Sequence, residues 1–560
     1  MARAVRALVS VVAGPGRWIA GALLLATLAG GLSACARQAV RPTCPAGQSC
    51  LLFGNQSEPE TLDPAKATGS WETRIISQLS EGLTRRGADG RVVPAIARSW
   101  TVSPDGLVWT FKLRATKWSD GAALTADDFV YGIRRTLAPR TASQSAFMLY
   151  PIRNGLKVAR GELPLEGLGV EAPAPDTLII RLEHPWPTLP NWAADRLMRP
   201  APRHAIARLG DAWVKPGQYI GNGPYTLKSW RLGDRIVLRR NPNYWDTRAC
   251  FEEVAYYPTT DPVTAERQVR AGELDLNLGI QSNRLRYLRR ADQMPDYVHA
   301  NPITAIAYLT FNIADVPALR DVRVRRALSM SIDRSFITDK LLSGGQVPAT
   351  NFLPPGLEDY TSTAQPYWAA MSFARRQAEA RRLLAAAGYS SKRPLRLTFK
   401  HLNGGDTPVF VPAIQADWAA VGVKVSLEQN ETQVAYAAYE NGDFEIGNAA
   451  WISFDALNFL DLQRSSSGGQ NYGRYNNPEY DRLVTAAESE PVDARRRALL
   501  GQAEQLLLDD APVAPLYVAS ARNLVSPRLT GWIDNPVDIH PADKLCRAPE
   551  PAHVGAGRTQ

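Results

Sequence analysis

The sequence predicts an α/β protein whose chain divides into two lobes, on three observations. Its 560 residues exceed one small core and suit roughly two to four domains of about 150 residues each. Strand-like and proline-rich segments prevail up to about residue 300, whereas helices alternate with strands beyond it. A strand at 395–399, a helix at 408–420 and a strand at 423–428 form a β-α-β unit, so these two strands should be parallel. A ligand site is expected between the lobes, because domain interfaces commonly enclose solutes.

The first half of the chain carries the period-two pattern of half-buried strands. Leu51–Gly54 predicts a first strand, and 71–83 predicts a helix. After the turn at 103–106, where proline and glycine favour tight backbone geometry, Trp109 and Phe111 fall on one face of a strand. Three tryptophans of this region are interpreted as core residues, namely Trp100, Trp109 and Trp118. In the second half, the segments predicted to be helical are 321–342, 372–387, 432–440, 478–488 and 492–509.

The N-terminus has the pattern of an export signal. Three arginines accompany an apolar or small-residue stretch of 15 residues, Trp18–Leu32, which is short for a membrane span. The stretch ends in Leu32-Ser33-Ala34-Cys35, which resembles the bacterial lipobox. Residues 1–34 are therefore predicted to be a removed lipoprotein signal peptide, with Cys35 lipidated and 35–50 forming a tether. The alternative is a plain signal peptide followed by an unmodified cysteine.

Composition and motifs argue against several classes of function. Removing residues 1–34 takes away three arginines and no acid, so the formal net charge falls from +9 to +6. No block of lysine or arginine occurs, and nucleic-acid binding is not expected. The six histidines form no i, i+4 pair, and the serine-hydrolase and phosphate-loop motifs are missing. Asp127-Asp128, after the predicted helix cap Thr125, is interpreted as a helix start. No cofactor or metal is expected, and an enzyme with an unrecognised site is the disfavoured alternative.

Four cysteines follow Cys35, and an even number in an exported protein permits two disulfides. The preferred pairing joins Cys44 to Cys50, which are close in sequence, and Cys250 to Cys546. Free thiols are the alternative. None of the four belongs to a C-x-x-C pair, so a redox or zinc role is not expected.

Residues 97–130 carry the pattern that points to a family. In order they read ARSW, SPDG, WTFKLR, KWSDG and TADDFV, with irregular spacing between the blocks. This order resembles the signature of the family 5 extracellular solute-binding proteins, the peptide-binding class of ABC importers. The resemblance extends over about residues 51–540 and includes the segments 221–246, 309–334 and 444–460.

The resemblance implies a periplasmic-binding-protein-like type II fold with two hinged lobes and an extra inserted domain. The implied boundaries are 51–90, 220–300 and 510–545 for a discontinuous domain I, 91–219 for the domain II insertion, 301–509 for domain III, and 546–560 for a C-terminal tail. It also implies a monomeric binding protein and no enzyme. Such a protein captures an oligopeptide in the periplasm or cell envelope and delivers it to the permease and ATPase subunits of an importer.

The resemblance also implies residues for recognising the ends of a peptide. In oligopeptide binders, an aspartate shortly after a tryptophan pairs with the α-amino group of the peptide. Trp451 matches that tryptophan and Asp455 is the candidate aspartate, although the intervening loop is two residues shorter than in the family pattern. Asn448 occupies the position where relatives carry an arginine, which weakens any claim that a peptide carboxylate binds there.

Further candidates come from other segments. Thr68-Gly69-Ser70 matches the segment that lines the cleft beside the peptide backbone, and Tyr150 matches a cleft tyrosine. Tyr308 is a weaker candidate. The alternative interpretations are an ordinary loop for Thr68-Gly69-Ser70 and core packing for Tyr150. The two departures at Asn448 and Asp455 leave open a different cargo on the same fold, such as a metal chelate, haem, opine, glycoside or cell-wall peptide. A membrane-tethered peptide sensor or chaperone is the further alternative.

Overall fold

The first lobe is built on five neighbouring strands of a mixed sheet. The computed structural model describes residues 49–467 and 470–549, and elements are numbered along those ranges. The central strand β1 runs parallel to both of its neighbours, β12 and β13. In sheet order the five strands are β10 (Tyr225–Arg231), β11 (Arg235–Arg240), β12 (Glu253–Tyr257), β1 (Cys50–Gly54) and β13 (Leu276–Leu278). The helices of this lobe are α1 (Ser70–Leu79), α6 (Pro262–Arg270) and α7 (Ser282–Leu288).

A separate antiparallel sheet forms the core of an inserted domain. Its strands in order are β4 (Ala97–Val102), β5 (Val108–Leu113), β9 (Thr177–Arg181) and β8 (Val170–Ala174). Alternate residues of β5 are buried, as the period-two pattern predicted, and α2 (Ala126–Leu137) packs on the sheet. The short elements around it are β2 (Thr84–Arg86), β3 (Val92–Pro94), β6 (Thr116–Lys117), β7 (Ala123–Leu124), α3 (Gly155–Ala159), α4 (Leu189–Trp192) and α5 (Arg203–Leu209).

The second lobe contains the predicted β-α-β unit. β16 (Leu395–Leu402) and β17 (Val423–Asn430) are parallel and are joined by α11 (Thr407–Ala420), which confirms the prediction. β18 (Ile446–Ile452) lies beside β16. The other helices are α8 (Pro317–Arg320), α9 (Val322–Met330), α10 (Phe373–Ala386), α12 (Thr432–Asn441), α13 (Ala456–Asp461), α14 (Pro478–Ser489) and α15 (Asp493–Asp510).

Two long strands connect the lobes within one 11-stranded sheet. β14 (Val298–Phe311) and β19 (Val513–Val525) are antiparallel neighbours, with β13 of the first lobe beside β19 and β18 of the second lobe beside β14. Their register shifts between Pro302 and Ile306, so the ladder is interrupted where the chain passes between the lobes. The remaining strands are β15 (Val347–Pro348), which pairs with β19, and the pair β20 (Leu529–Thr530) and β21 (Cys546–Arg547).

One predicted helix is interrupted. The segment 321–342 was expected to be continuous, but α9 ends at Met330 and a π-helix follows at Phe336–Leu342. The buried Arg334 explains the break, because its guanidinium donates to the Ser329 carbonyl at the end of α9 and to the Pro515 carbonyl of β19. The first contact satisfies a carbonyl group that the end of α9 leaves unpaired, and the second ties the break to β19. Tertiary contacts of this kind leave no periodic signal in the sequence.

A disulfide joins Cys250 to Cys546, the pair preferred from the sequence, with the two Cα atoms 5.2 Å apart. Cys50 is also disulfide-bonded. Cys35 and Cys44 lie outside the described residues, so the predictions of lipidation and of the Cys44–Cys50 pair stay predictions. Within the described ranges, no helix combines the length and the apolar character that a membrane span requires.

Candidate ligand-binding cleft

A cavity of about 550 Å³ lies between the lobes and is called the inter-lobe cavity. Its wall from the first lobe includes the segment Thr68–Ser70, one face of α1 and the segment Val537–Pro541. Its opposite wall contains Ile303 of β14, Ile452 of β18 and the following Phe454. This volume falls within the range of roughly 300–1,000 Å³ that is typical of small-molecule sites.

The spacing of polar residues along α1 explains its cavity-facing side. One face of the helix, at positions i, i+3, i+4, i+7 and i+8, lines the inter-lobe cavity and consists of Ser70, Thr73, Arg74, Ser77 and Gln78. The apolar residues of α1 are buried on the other side, against the first-lobe core. The helix therefore presents hydroxyl, guanidinium and amide groups to a ligand.

Glu72 holds the start of this helix and the loop that leads into it. Its buried carboxylate accepts hydrogen bonds from the amides of Thr68 and Gly69 at 2.8 Å each, and from the amide of Glu60 at 2.9 Å. Residue 69 is a glycine for a steric reason, since an added Cβ atom would lie 2.5 Å from the Trp71 side chain. The predicted segment Thr68–Ser70 thus lines the cavity as a preformed wall whose first two amides are already satisfied.

The facing strand β18 has one edge that is open only toward its C-terminal end. β14 pairs with β18 from Phe311 to Ala305, whereas β16 reaches it only at Ile446. The rest of that second edge has no strand partner among the described residues. The amide of Asn448 there donates to the Tyr439 hydroxyl at 3.4 Å, and Ala450 and Ile452 are exposed. An open strand edge can accept an extended chain through main-chain hydrogen bonds.

A second cavity of about 320 Å³ lies between the inserted domain and the second lobe and is called the tryptophan cavity. Trp186 and Trp192 line it from the inserted domain, and Trp451 and Asp455 line it from the second lobe. The indole N–H of Trp451 donates to the Asn458 side chain at 2.8 Å. Two predicted site residues, Trp451 and Asp455, therefore meet in the tryptophan cavity and are not part of the inter-lobe cavity wall.

The Asp455 carboxylate is buried and already has protein partners. It caps α13 by accepting the amide of Leu457 at 2.9 Å, and the hydroxyl of Thr188 donates to its other oxygen. Arg496 lies 3.7 Å away and donates to the neighbouring Asp359 at 2.9 Å. Burial, followed by the nearby Asp455 carboxylate, raises the pKa of Asp359. Asp455 thus belongs to a buried ionic cluster with Arg496 and Asp359.

Three other predicted residues line neither cavity. The buried Asn448 side chain accepts the amide of Leu402 at 3.1 Å and donates to Thr407 at 3.2 Å. Tyr308 is buried in the second-lobe core with its ring centroid 5.2 Å from that of Phe352. Tyr150 is half-buried and packs against the core of the inserted domain.

Phe454 separates the two cavities and was not singled out from the sequence. Its ring centroid lies 5.0 Å from that of Trp192, and the Arg86 guanidinium lies 4.8 Å from its ring. The same junction contains further contacts between the lobes, since Arg86 also pairs with Glu358 and His184 lies 3.3 Å from Glu488. The lobes therefore close against each other through Phe454 and a set of ionic contacts around it.

The described side chains contain no group of three or more histidine, cysteine, aspartate or glutamate residues arranged to hold a metal ion.

Comparisons with known proteins give the family. The family model described as bacterial extracellular solute-binding proteins, family 5 Middle, matches residues 91–471. The periplasmic murein peptide-binding protein MppA of Escherichia coli (strain K12) is 35% identical over 492 residues, which cover 86% of this chain and 90% of that protein. The periplasmic oligopeptide-binding protein OppA of the same strain is 33% identical over 521 residues, which cover 92% of this chain and 95% of that protein.

Among solved structures, the murein tripeptide-binding protein MppA in its unliganded open form matches with a TM-score of 0.79 and 33% identity. The match covers 90% of this chain and 98% of that one. The predicted periplasmic-binding-protein-like fold, with two lobes and an inserted domain, is thereby confirmed. The family consists of solute-binding proteins and not of enzymes. From the matched residues and the extent of both alignments, the chain belongs to the bacterial extracellular solute-binding proteins, family 5.

Proposed function

We propose that this protein captures an oligopeptide between its lobes and delivers it to an ABC importer. The observation that carries the proposal is the inter-lobe cavity, which is lined by the segment Thr68–Ser70 on one side and by Ile452, at the end of β18, on the other. A strand edge binds the backbone of an extended peptide, which is common to every peptide sequence. The polar face of α1 leaves hydrated space for varied side chains, because bridging water can replace direct contacts at little cost.

The relatives support a peptide as the cargo. MppA is named for murein peptide binding and OppA for oligopeptide binding, and the alignments span 90% and 95% of those proteins. The resemblance therefore includes both lobes and the inserted domain, and not only a shared core. Of the residues predicted from the sequence, the proposal uses Thr68–Ser70 as the contact with the ligand backbone.

The same proposal includes the partners and the location. The protein acts as a periplasmic monomer that catalyses no reaction, and the loaded form docks on the permease and ATPase subunits of the importer. The word periplasmic in the names of both relatives supports the compartment. Cys35 carries the lipid that holds the protein at the membrane surface, which the lipobox-like Leu32-Ser33-Ala34-Cys35 supports.

The domain division also belongs to the proposal. The four-stranded sheet of the inserted domain falls within 91–219, and the five strands of the first lobe fall within 51–90 and 220–300, except that β1 begins one residue earlier, at Cys50. β14 spans a proposed border, since it runs from Val298 to Phe311, and it pairs with β19, which begins at Val513 just after the second border. These two strands are therefore the connection at which domains I and III move relative to each other.

Native mass spectrometry of the protein purified from the cell envelope tests the function. We expect a set of different ligand masses, each released on denaturation and sequenced as a peptide of a few residues. A single non-peptide mass would overturn the peptide proposal in favour of another solute. If the protein is purified empty, titration with a mixture of short peptides decides between the same two outcomes, and absence of any binding also overturns the proposal.

A further inference from the structure

We propose that the inter-lobe cavity selects peptides through a carboxylate group, which Arg74 on α1 binds. This inference rests on the proposed function, because it concerns the ligand of the same cavity. It follows from the way in which the charged side chains of the cavity wall are paired.

The carboxylates of the cavity wall already have partners within the protein. Glu81 accepts the Tyr244 hydroxyl at 2.7 Å and the Trp245 indole N–H at 2.6 Å. Asp543 lies 3.3 Å from the Arg85 guanidinium. Asp538 accepts a hydrogen bond from the side-chain amide of Asn523 at 2.8 Å and lies 3.0 Å from the His540 ring. The fourth, Asp195, caps a short helix through the Leu197 amide at 2.9 Å. Each of the four carboxylates therefore already has at least one partner within the protein.

Arg74, in contrast to these carboxylates, has no oppositely charged partner in contact with it among the described residues. Its side chain is half-buried and lines the cavity, and no carboxylate of the described residues lies within 4.0 Å of its guanidinium. Within the described part of the chain, the guanidinium donates one hydrogen bond, from Nη1 to the neutral Asn55 side chain at 2.7 Å. Asn55 is itself buried and donates to the Trp71 carbonyl at 3.1 Å, so the position of the guanidinium is defined before a ligand arrives. Burial lowers the pKa of Arg74, and the more distant Asp538 carboxylate of the same wall offsets this lowering only in part.

Two other arginines of the wall, Arg199 and Arg86, add to the positive charge that Arg74 places in the cavity. Arg199 is buried and donates only to the carbonyls of Ser80 and Ala194, at 2.7 Å each. The Nε atom of Arg199 and the Nη2 atom of Arg86 have no hydrogen-bond partner among the described residues. Arg199 donates to backbone carbonyls, and Arg86 forms an ion pair with Glu358. Arg74 is therefore the arginine most available to a ligand.

Among the described residues, the end of the cavity beside Phe454 contains no carboxylate that could bind a ligand ammonium group instead. The Phe454 ring is covered by the Arg86 guanidinium on one side, and the nearby Asp455 carboxylate belongs to the tryptophan cavity, where it caps α13. A peptide would therefore be recognised by its negative charge and not by its α-amino group. A guanidinium binds a carboxylate in a bidentate manner with a pair of charge-assisted hydrogen bonds. That carboxylate can come from an aspartate or glutamate side chain or from the peptide C-terminus.

Calorimetric titration with four matched peptides separates these two sources. The probes are Ala-Ala-Glu-Ala, Ala-Ala-Gln-Ala and the C-terminal amide of each. We expect the wild-type protein to bind the probe without either carboxylate roughly 10- to 100-fold more weakly than the doubly acidic probe. The two probes that lack only one carboxylate then show whether the glutamate side chain or the C-terminus supplies the bound carboxylate.

Arg74→Met should lose this discrimination and bind all four probes with similar affinity. Arg74→Lys should keep part of it, because an ammonium retains the charge but not the bidentate geometry. Arg267→Met removes an exposed helical arginine outside the cavity and should behave as the wild type. Equal melting temperatures of the ligand-free proteins show that the Arg74 variants are folded.

Two results would overturn the inference while the proposed function stands: wild-type affinity that does not depend on the carboxylates, or discrimination that survives in Arg74→Met. If the wild-type protein binds none of the four probes and no other short peptide, the proposed function fails, and the inference fails with it.

Discussion

Arg74 and Arg496 represent two regions of this protein that treat buried charge differently. In the inter-lobe cavity, Arg74 has a neutral hydrogen-bond partner and no carboxylate of the described residues beside it. In the second lobe, Arg496 is 2% exposed, donates to Asp359 at 2.9 Å and lies 3.7 Å from Asp455. A charge that the protein already neutralises contributes to stability, whereas a charge left without a counter-ion is available to a ligand.

This difference changes the interpretation of a residue that the family pattern had emphasised. Asp455 follows the matching tryptophan, Trp451, yet its two oxygens interact with Leu457, Thr188 and Arg496 inside the protein. Residue type and proximity to the cleft are therefore insufficient to identify a ligand contact. The pairing state of each charge is the more informative property, and substitutions can test it in both regions.

Arg496→Met should have the largest effect of the variants considered, on stability. It leaves Asp359 and Asp455 buried without a cation, which costs about 3–5 kcal/mol in comparable buried pairs. Urea unfolding at pH 7.5, where ordinary carboxylates are ionised, measures the change in the free energy of unfolding. The loss should shrink as the pH falls, because protonation neutralises the two carboxylates.

The adjacent Arg497→Met provides the matched control. Arg497 is 53% exposed and pairs only with Asp493 one helical turn away, so its loss should cost about 0–1 kcal/mol. Equal effects of the two substitutions would contradict the assignment of Arg496 to a stabilising ionic cluster, and would restore Asp455 as a candidate ligand contact.

Glu504 tests a third arrangement, a buried carboxylate that has neutral partners. It accepts the Leu353 amide at 2.9 Å and the Ser362 hydroxyl at 2.6 Å, and burial raises its pKa from 4.5 to about 7. The folded state therefore binds its proton more tightly than the unfolded state. Its contribution to stability is full below pH 4.5 and is lost as the pH rises through about 7. The total loss is on the order of 3 kcal/mol.

Glu504→Gln should remove this pH dependence. The difference in unfolding free energy between variant and wild type should shift in favour of the variant as the pH rises from about 5 to 8, since only the wild type must ionise a buried group. Glu479→Gln, which changes an exposed glutamate of α14, should show no such shift. A difference between Glu504→Gln and the wild type that is constant over this range would show that Glu504 is not protonated in the folded protein near neutral pH.

The sequence was sufficient for features that depend on neighbouring residues. The alternating pattern of β5, the β-α-β unit and the capped helix α2 were all predicted, because each is defined by local periodicity and turn chemistry. The polar face of α1 that begins at Ser70 has a helical spacing that is visible in the sequence, although its position in the cavity is not. The surroundings of Phe454 were not, since Arg86 and Trp192 are more than 250 residues away in sequence and meet it only when the lobes dock. Long-range docking of this kind leaves no periodic signal.

Phe454→Ala should have a smaller free-energy effect than the Arg496 substitution, and the effect should appear in binding. The ring contacts Trp192 and lies beneath the Arg86 guanidinium, so it links the second lobe to the inserted domain and closes one end of the inter-lobe cavity. The lost aromatic and cation–π contacts amount to roughly 1–3 kcal/mol, equivalent to about 5- to 100-fold in the dissociation constant if they form only on closure. Calorimetric titration with a peptide that binds the wild type measures this change.

The physical reason for this expectation is that a ligand must supply the energy of closing lobes that Phe454 no longer helps to hold together. Phe147→Ala is the control, because Phe147 lines the tryptophan cavity but is 52% exposed. Its removal should leave both affinity and the closed shape unchanged. Small-angle scattering with and without saturating peptide completes the test: a smaller decrease in the radius of gyration on binding for Phe454→Ala alone assigns the effect to lobe closure. Weaker binding with the same decrease as the wild type would instead mean that the Phe454 ring contacts the ligand directly, and the wall between the two cavities would then be part of the binding site.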